Sequence, residues 1–141
     1  NTGNGLLLLG AQLRNYDGGT GTLHCRANGG DGAALTDNAA LSVPSTAVFS
    51  SNVGNGLSTN GSCSARVAGS TAASNGAAGF LAANGGVNVD ASNTSGSGNG
   101  TFGYYALNGA VMVRTGGAAT GATAAASPAA GSVGNSNATM I

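Results

Sequence analysis

Few side chains in this 141-residue chain can do chemistry: one histidine (His24), two cysteines (Cys25, Cys63), four aspartates (Asp17, Asp31, Asp37, Asp90) and four arginines (Arg14, Arg26, Arg66, Arg114), with no lysine or glutamate. Catalysis needs paired carboxylates, a nucleophile beside a base, or a metal cluster. Here the aspartates are scattered over turn-like stretches and His24 has no predicted partner, so an enzyme is not expected. One histidine without CxxC spacing or a carboxylate cluster does not make a metal site. A phosphate loop of the form GxxxxGK[ST] cannot be completed without lysine, so no cofactor is expected either. What remains is thiol chemistry. Cys25 and Cys63 lie 38 positions apart on strand-like segments and read best as one bridge between neighbouring strands of a small exported domain. Closing that loop would contribute roughly 4 kcal/mol in the chain-entropy model. Two separate buried thiols are the alternative.

Composition limits the partners and the core. The formal net charge is zero and 6% of residues are charged. No basic patch exists, which argues against nucleic-acid binding by phosphate neutralisation and against a polybasic membrane contact. Low charge also departs from the composition of disordered chains. Leu, Val, Ile and Phe together number 24 of 141 residues and Gly alone 27, so one copy buries little area against roughly 1 to 2 kcal/mol of backbone entropy per ordered residue. A chain like this needs a disulfide, repeated stacking or a borrowed strand.

The elements that must position these residues are strands. Gly5 to Leu13, GLLLLGAQL, is the greasiest stretch and reads as an extended strand. It is too short to span a bilayer, and with no basic leader before it the chain is expected to be a mature one. Asn15 to Gly19 is a turn by its Asp-Gly and Gly-Gly pairs, and Thr20 to Ala27 is a strand with Leu23 and Cys25 on one face. Further strand-like segments are Ala39 to Val43, stopped by Pro44, then Ala47 to Phe49, Leu57 to Val67, and Val87 to Asp90. Thr101 to Val113 contains an expected Asn108-Gly109 hairpin turn, and Ser132 to Ile141 alternates to the end. Ala68 to Gly86 is small and soft, with Phe80-Leu81 as its one bulky pair. No stretch has the three-and-four spacing of a helix. A β-solenoid would suit the small residues, but no fixed repeat period is apparent. Short strands about ten residues apart indicate a β-sandwich instead.

The order of an apolar N-terminal strand, a Cys, the stretch ALSVPSTAVF, a second Cys, V-x-V-R-T-G-G and a closing A-G-S-V-x-x-x-A-T-M-I resembles the major pilins of chaperone-usher fimbriae. Cys25 and Cys63 match the family's bridged pair, and Val111 to Arg114 with Ala130 to Ile141 match its last two strands. The resemblance implies an immunoglobulin-like sandwich, residues 15–141, that lacks a strand and is completed by the extension of the next subunit, residues 1–14. Pairing of that kind is β-strand addition. Leu7, Leu9, Ala11 and Leu13 would be the donor side chains, with Leu6 and Leu8 the opposite register, and Val111, Val113, Val133, Ala138 and Met140 would edge the acceptor groove. The implied partners are identical subunits in a homopolymer, plus a periplasmic chaperone and an outer-membrane usher. The implied place is an extracellular fimbria that supports adhesion. The alternative is a coat or shaft protein of another self-assembling β-sandwich filament.

Overall fold

The computed structural model describes residues 1–14, 22–43, 46–84, 88–113, 116, 121, 124–127 and 139–140. Among these the chain forms strands and turns only, and every strand pairing is parallel. The first rung comprises β1 (Leu6–Leu9), β2 (Gln12–Arg14) and β3 (His24–Arg26). The second comprises β4 (Ala33–Thr36), β5 (Ala40–Ser42) and β6 (Val48–Ser50), and the third β7 (Leu57–Asn60), β8 (Ser64–Arg66) and β9 (Thr71–Ala73). A fourth contains β10 (Phe80–Ala83) and β11 (Asn88–Asp90), with a bridge from Thr71 to Ser95 continuing the third side. Above it stand β12 (Phe102–Ala106) and β13 (Val111–Val113), then β14 (Ala124–Ser127) and β15 (Thr139–Met140). Equivalent strands stack into three sheets: β1-β4-β7-β10-β12-β14 (sheet A), β2-β5-β8-β11-β13-β15 (sheet B) and β3-β6-β9 (sheet C).

This is a β-solenoid, and it corrects the expectation of an immunoglobulin-like sandwich. Alternation along a strand records one buried and one exposed face and is the same in either architecture. The turns every ten residues are corners between the sides of one rung. Asn108 and Gly109, expected to close a hairpin, form such a corner with φ of 54° and 77°, and the strands on either side, β12 and β13, lie in different sheets. The segment from Leu57 to Val67 likewise divides at a corner into β7 and β8. Strands β4 and β9 fall on stretches that carried no strand expectation, because Ala33-Ala34 and Thr71-Ala72-Ala73 have too little side chain for a visible alternation.

A repeat is present, with variable spacing. In sheet A, Leu6 pairs with Ala33, Ala33 with Leu57, Leu57 with Phe80, Phe80 with Tyr104 and Tyr104 with Ala126, steps of 27, 24, 23, 24 and 22 residues. Each of the first five rungs opens with Asn and has Gly four positions on: Asn1-Gly5, Asn28-Gly32, Asn52-Gly56, Asn75-Gly79 and Asn99-Gly103. That glycine sits where rungs touch. A Cβ on Gly32 would lie 2.5 Å from Gly56 O, and one on Gly56 2.5 Å from Gly79 O, closer than any side chain tolerates. After sheet A the chain turns through a left-handed residue in each of the first five rungs, Gly10, Asp37, Gly61, Asn84 and Asn108 (φ between 54° and 74°). Gly, Asn and Asp are the residues that adopt this conformation at least cost.

Inside, Leu35, Leu41, Phe49, Leu57, Phe80, Val89, Tyr104 and Met112 form one buried column with alanines between them. A thin core suffices because rungs about 4.8 Å apart leave little space to fill. A buried asparagine ladder runs beside it. Asn1 Nδ2 donates to Asn28 Oδ1 (3.0 Å), Asn28 Nδ2 to Asn52 Oδ1 (2.8 Å), Asn52 Nδ2 to Asn75 Oδ1 (2.9 Å) and Asn75 Nδ2 to Asn99 Oδ1 (2.9 Å). Each buried amide thereby meets both donor and acceptor needs.

Candidate functional site

The two thiols are free, which corrects the expected disulfide. Cys25 points inward from β3 in the first rung, and Cys63 precedes β8 in the third, its Sγ 3.2 Å from Asn60 O. Two rungs separate them by roughly 10 Å along the stack, beyond the 7 Å or so between Cα atoms that a bridge can span. They also lie on different sides of the solenoid. Cys63 occupies the corner position that Ala39 and Ala110 hold in other rungs, all buried. Both cysteines are nearly inaccessible (4% and 1% exposed), and burial pushes the Cys25 thiol above its ordinary range, so less reactive thiolate is present. Native protein at pH 8 should therefore resist iodoacetamide, whereas unfolding without reductant should yield two alkylated cysteines by mass spectrometry. A linked peptide in the unreduced digest would contradict this geometry.

The leucine run is the first rung of this chain's own stack. Leu8 is buried and Leu6 packs against the core, while Leu7 and Leu9 point outward at 51% and 59% exposure. The inward set is thus Leu6 and Leu8. Ala11 is exposed at the corner. Leu13 points inward, aligned with Leu41, yet is 38% exposed where Leu41 is 2%. Among the described residues β1 and β2 are each paired on one edge, so no described strand stacks on the other side of Leu13.

Val111 and Val113 are half-buried on the outer face of sheet B, and Met112 between them is in the core. The backbone of Met140 pairs with Met112. Val133 and Ala138 lie outside the described residues, as do the expected turn at 15–19 and Arg114. His24 is exposed on β3, and among the described residues no three His, Cys, Asp or Glu side chains converge to hold a metal. Among the described residues no helix is long and apolar enough to cross a membrane.

A second feature, absent from the sequence expectations, is a groove across the outer face of sheet B. Register brings Arg14, Ser42, Arg66 and Asp90 into one outward column. The second rung contributes only Ala40 and Ser42 there, so it forms a valley between Arg14 on one side and Arg66 on the other. The cavity has a volume of about 400 Å³, with Ser64 and Asp90 completing its polar lining. A smaller cavity of about 180 Å³ continues it past Arg14 and Ser42 to Leu13, Leu23 and Val43. Asp90 Oδ1 accepts the Ser92 N–H at 3.1 Å. Arginines 52 residues apart in sequence (Arg14, Arg66) become neighbours only through the rung repeat, and a regular period would have been the signal for it.

Comparison with protein-family models, curated proteins and solved structures finds no match to this chain.

Proposed function

We propose that this chain is a structural module of an extended extracellular fibre that grows by continuing the β-stack from one copy to the next. The observation that carries the reading is the one-sided pairing of β1 and β2 among the described residues, with Leu13 38% exposed where Leu41, Ala65, Val89 and Met112 of the same column are buried. All described strands run parallel, so the unpaired edge of β1 and β2 has the polarity that complements the opposite edge of β14 and β15, the last described strands of the two sheets. A second copy placed head to tail continues both sheets, and such a contact does not close on itself but propagates. Main-chain hydrogen bonds supply affinity and the apolar cross-section of Leu6, Leu8, Leu13 and Leu23 supplies the buried area. This differs from donor-strand exchange, because a solenoid has no missing strand for a neighbour to insert. A chaperone or usher enters this reading only as a temporary cover for the open edge.

The test is sedimentation velocity with negative-stain microscopy over a concentration series. Wild-type protein should elongate into rods one solenoid wide. Leu13→Asp should lower the end-to-end association constant by about 100-fold or more, since a charge would then be buried at the junction. It should leave the circular dichroism of the monomer unchanged, as Leu13 already meets water. Wild-type protein that stays monomeric at all concentrations, or rods unaffected by Leu13→Asp, would refute end-to-end growth.

A further inference from the structure

We propose that the sheet B groove between Arg14 and Arg66 is a binding site for uronate units of an acidic glycan, an inference that stands apart from fibre growth. The chain has four arginines and no lysine, and the fold places two of the four on one outward column with only Ser42 between them. Their strands are about 10 Å apart, two rung spacings. From either wall a guanidinium on a flexible stem reaches the middle of the valley, where two like charges over an uncharged floor favour an anion between them. Guanidinium is the side chain suited to that task, because its planar fork grips a carboxylate with two parallel hydrogen bonds.

Three further observations narrow the ligand. The groove lining contains the hydroxyls of Ser42 and Ser64, which can both donate to and accept from sugar hydroxyls. Backbone N–H groups beneath it are engaged in the parallel ladder, so no nest is left to cradle a phosphate. No described residue lining the groove is aromatic, so among these residues neither a nucleobase nor a neutral sugar gains a stacking surface, and the arginines favour a carboxylate. Asp90, next along the column after Arg66, repels a second negative charge close by. It therefore disfavours densely charged polyanions and tolerates one carboxylate per sugar. The volume of about 400 Å³ is that of a small-ligand site.

The experiment is an NMR titration of the isotope-labelled full chain at low ionic strength with trigalacturonate, and in parallel with maltotriose and with sodium sulfate. Trigalacturonate should shift the Ser42, Ser64 and Arg66 amides in a saturable manner, and maltotriose should not. Arg14→Gln and Arg66→Gln should each weaken binding about tenfold. Arg26→Gln, on sheet C, should leave it unchanged, and the unperturbed remainder of each spectrum reports that the fold is intact. Four results would overturn the proposal: no saturable shift with trigalacturonate, equal binding of maltotriose, equal loss in Arg26→Gln, or sulfate that binds as tightly as the trisaccharide, which would reduce the groove to a site for any small anion.

Discussion

Asn75→Ala is expected to lower the unfolding free energy by about 3 to 5 kcal/mol, measured by urea denaturation. The Asn75 side chain is fully enclosed and works in both directions. Its Oδ1 accepts from the Asn52 N–H (3.2 Å) and Nδ2 (2.9 Å), and its Nδ2 donates to Phe49 O (3.1 Å) and Asn99 Oδ1 (2.9 Å). Alanine removes all four bonds and brings no water in. The Asn52 N–H and Phe49 O lose the partners named here, while Asn52 Nδ2 keeps Cys25 O and Asn99 Oδ1 keeps the Asn75 N–H. At about 1 to 3 kcal/mol for a buried group left unpaired, the stranded Asn52 N–H accounts for much of the loss and the three other bonds for the rest, while Phe49 O stays within the β6–β9 ladder. Asn84 is the contrast. It forms the same kind of ladder on the surface, accepting from Asn108 Nδ2 (2.8 Å) and donating to Asn60 Oδ1 (2.7 Å). Water can replace those bonds, and glycine suits the left-handed backbone there (φ 60°). Asn84→Gly should therefore change stability by less than about 1 kcal/mol. Equal losses in the two variants would mean that burial is not what makes the inner ladder count.

Phe80→Ala is expected to cost a similar amount, about 3 to 5 kcal/mol, and to lower the thermal midpoint without changing the far-ultraviolet signature of the sheets. Phe80 is the centre of the one aromatic stack in the described core. Its ring lies on that of Tyr104 (centroids 5.7 Å apart, 13° between planes) and meets Phe49 edge to face (6.5 Å, 78°). In many folds a cavity shrinks as helices shift. Here the rung spacing is held by backbone ladders on both sides of β10 and by the asparagine column, so the space of a phenyl ring stays open. Phe80→Leu, which refills most of the volume, should recover more than half of the loss. A loss below about 1 kcal/mol for Phe80→Ala would show that the rungs do close up and that the ladder is softer than its geometry implies. Because a domain of this size is stable by only about 5 to 15 kcal/mol, either alanine variant should bring the chain close to unfolding at 37 °C.

The amino-acid sequence by itself determined that the chain is built of strands, that its core is thin, and which residues within a strand share a face. Leu23 and Cys25 were expected inward, and Cys25 is buried with Leu23 packed against the core. These properties are local, since pleat alternation and the scarcity of helix formers act within a few residues. Within the chain's own stack Leu6 and Leu8 face the core, whereas Leu7 and Leu9 face out. Four adjacent leucines carry no alternation, and only the partner strand Ala33–Thr36 decides their faces.

Tertiary structure alone decided between antiparallel sandwich and parallel stack. Alternation is identical in both, and the repeat that distinguishes them is blurred in sheet A by corners that stretch its step from 22 to 27 residues and by inward positions filled in turn by Leu, Ala, Leu, Phe and Tyr. The stacking asparagines and close-contact glycines do keep their place, but in a chain this rich in both residues their spacing stands out only once the rungs are known. The cysteines were read as a bridge because they are two and both on strands. Their pairing was excluded by a rung count that no local pattern encodes. Arg14 and Arg66 became one groove for the same reason: register between strands two rungs apart is set by the packing of every side of the coil in between, not by the residues that end up facing each other.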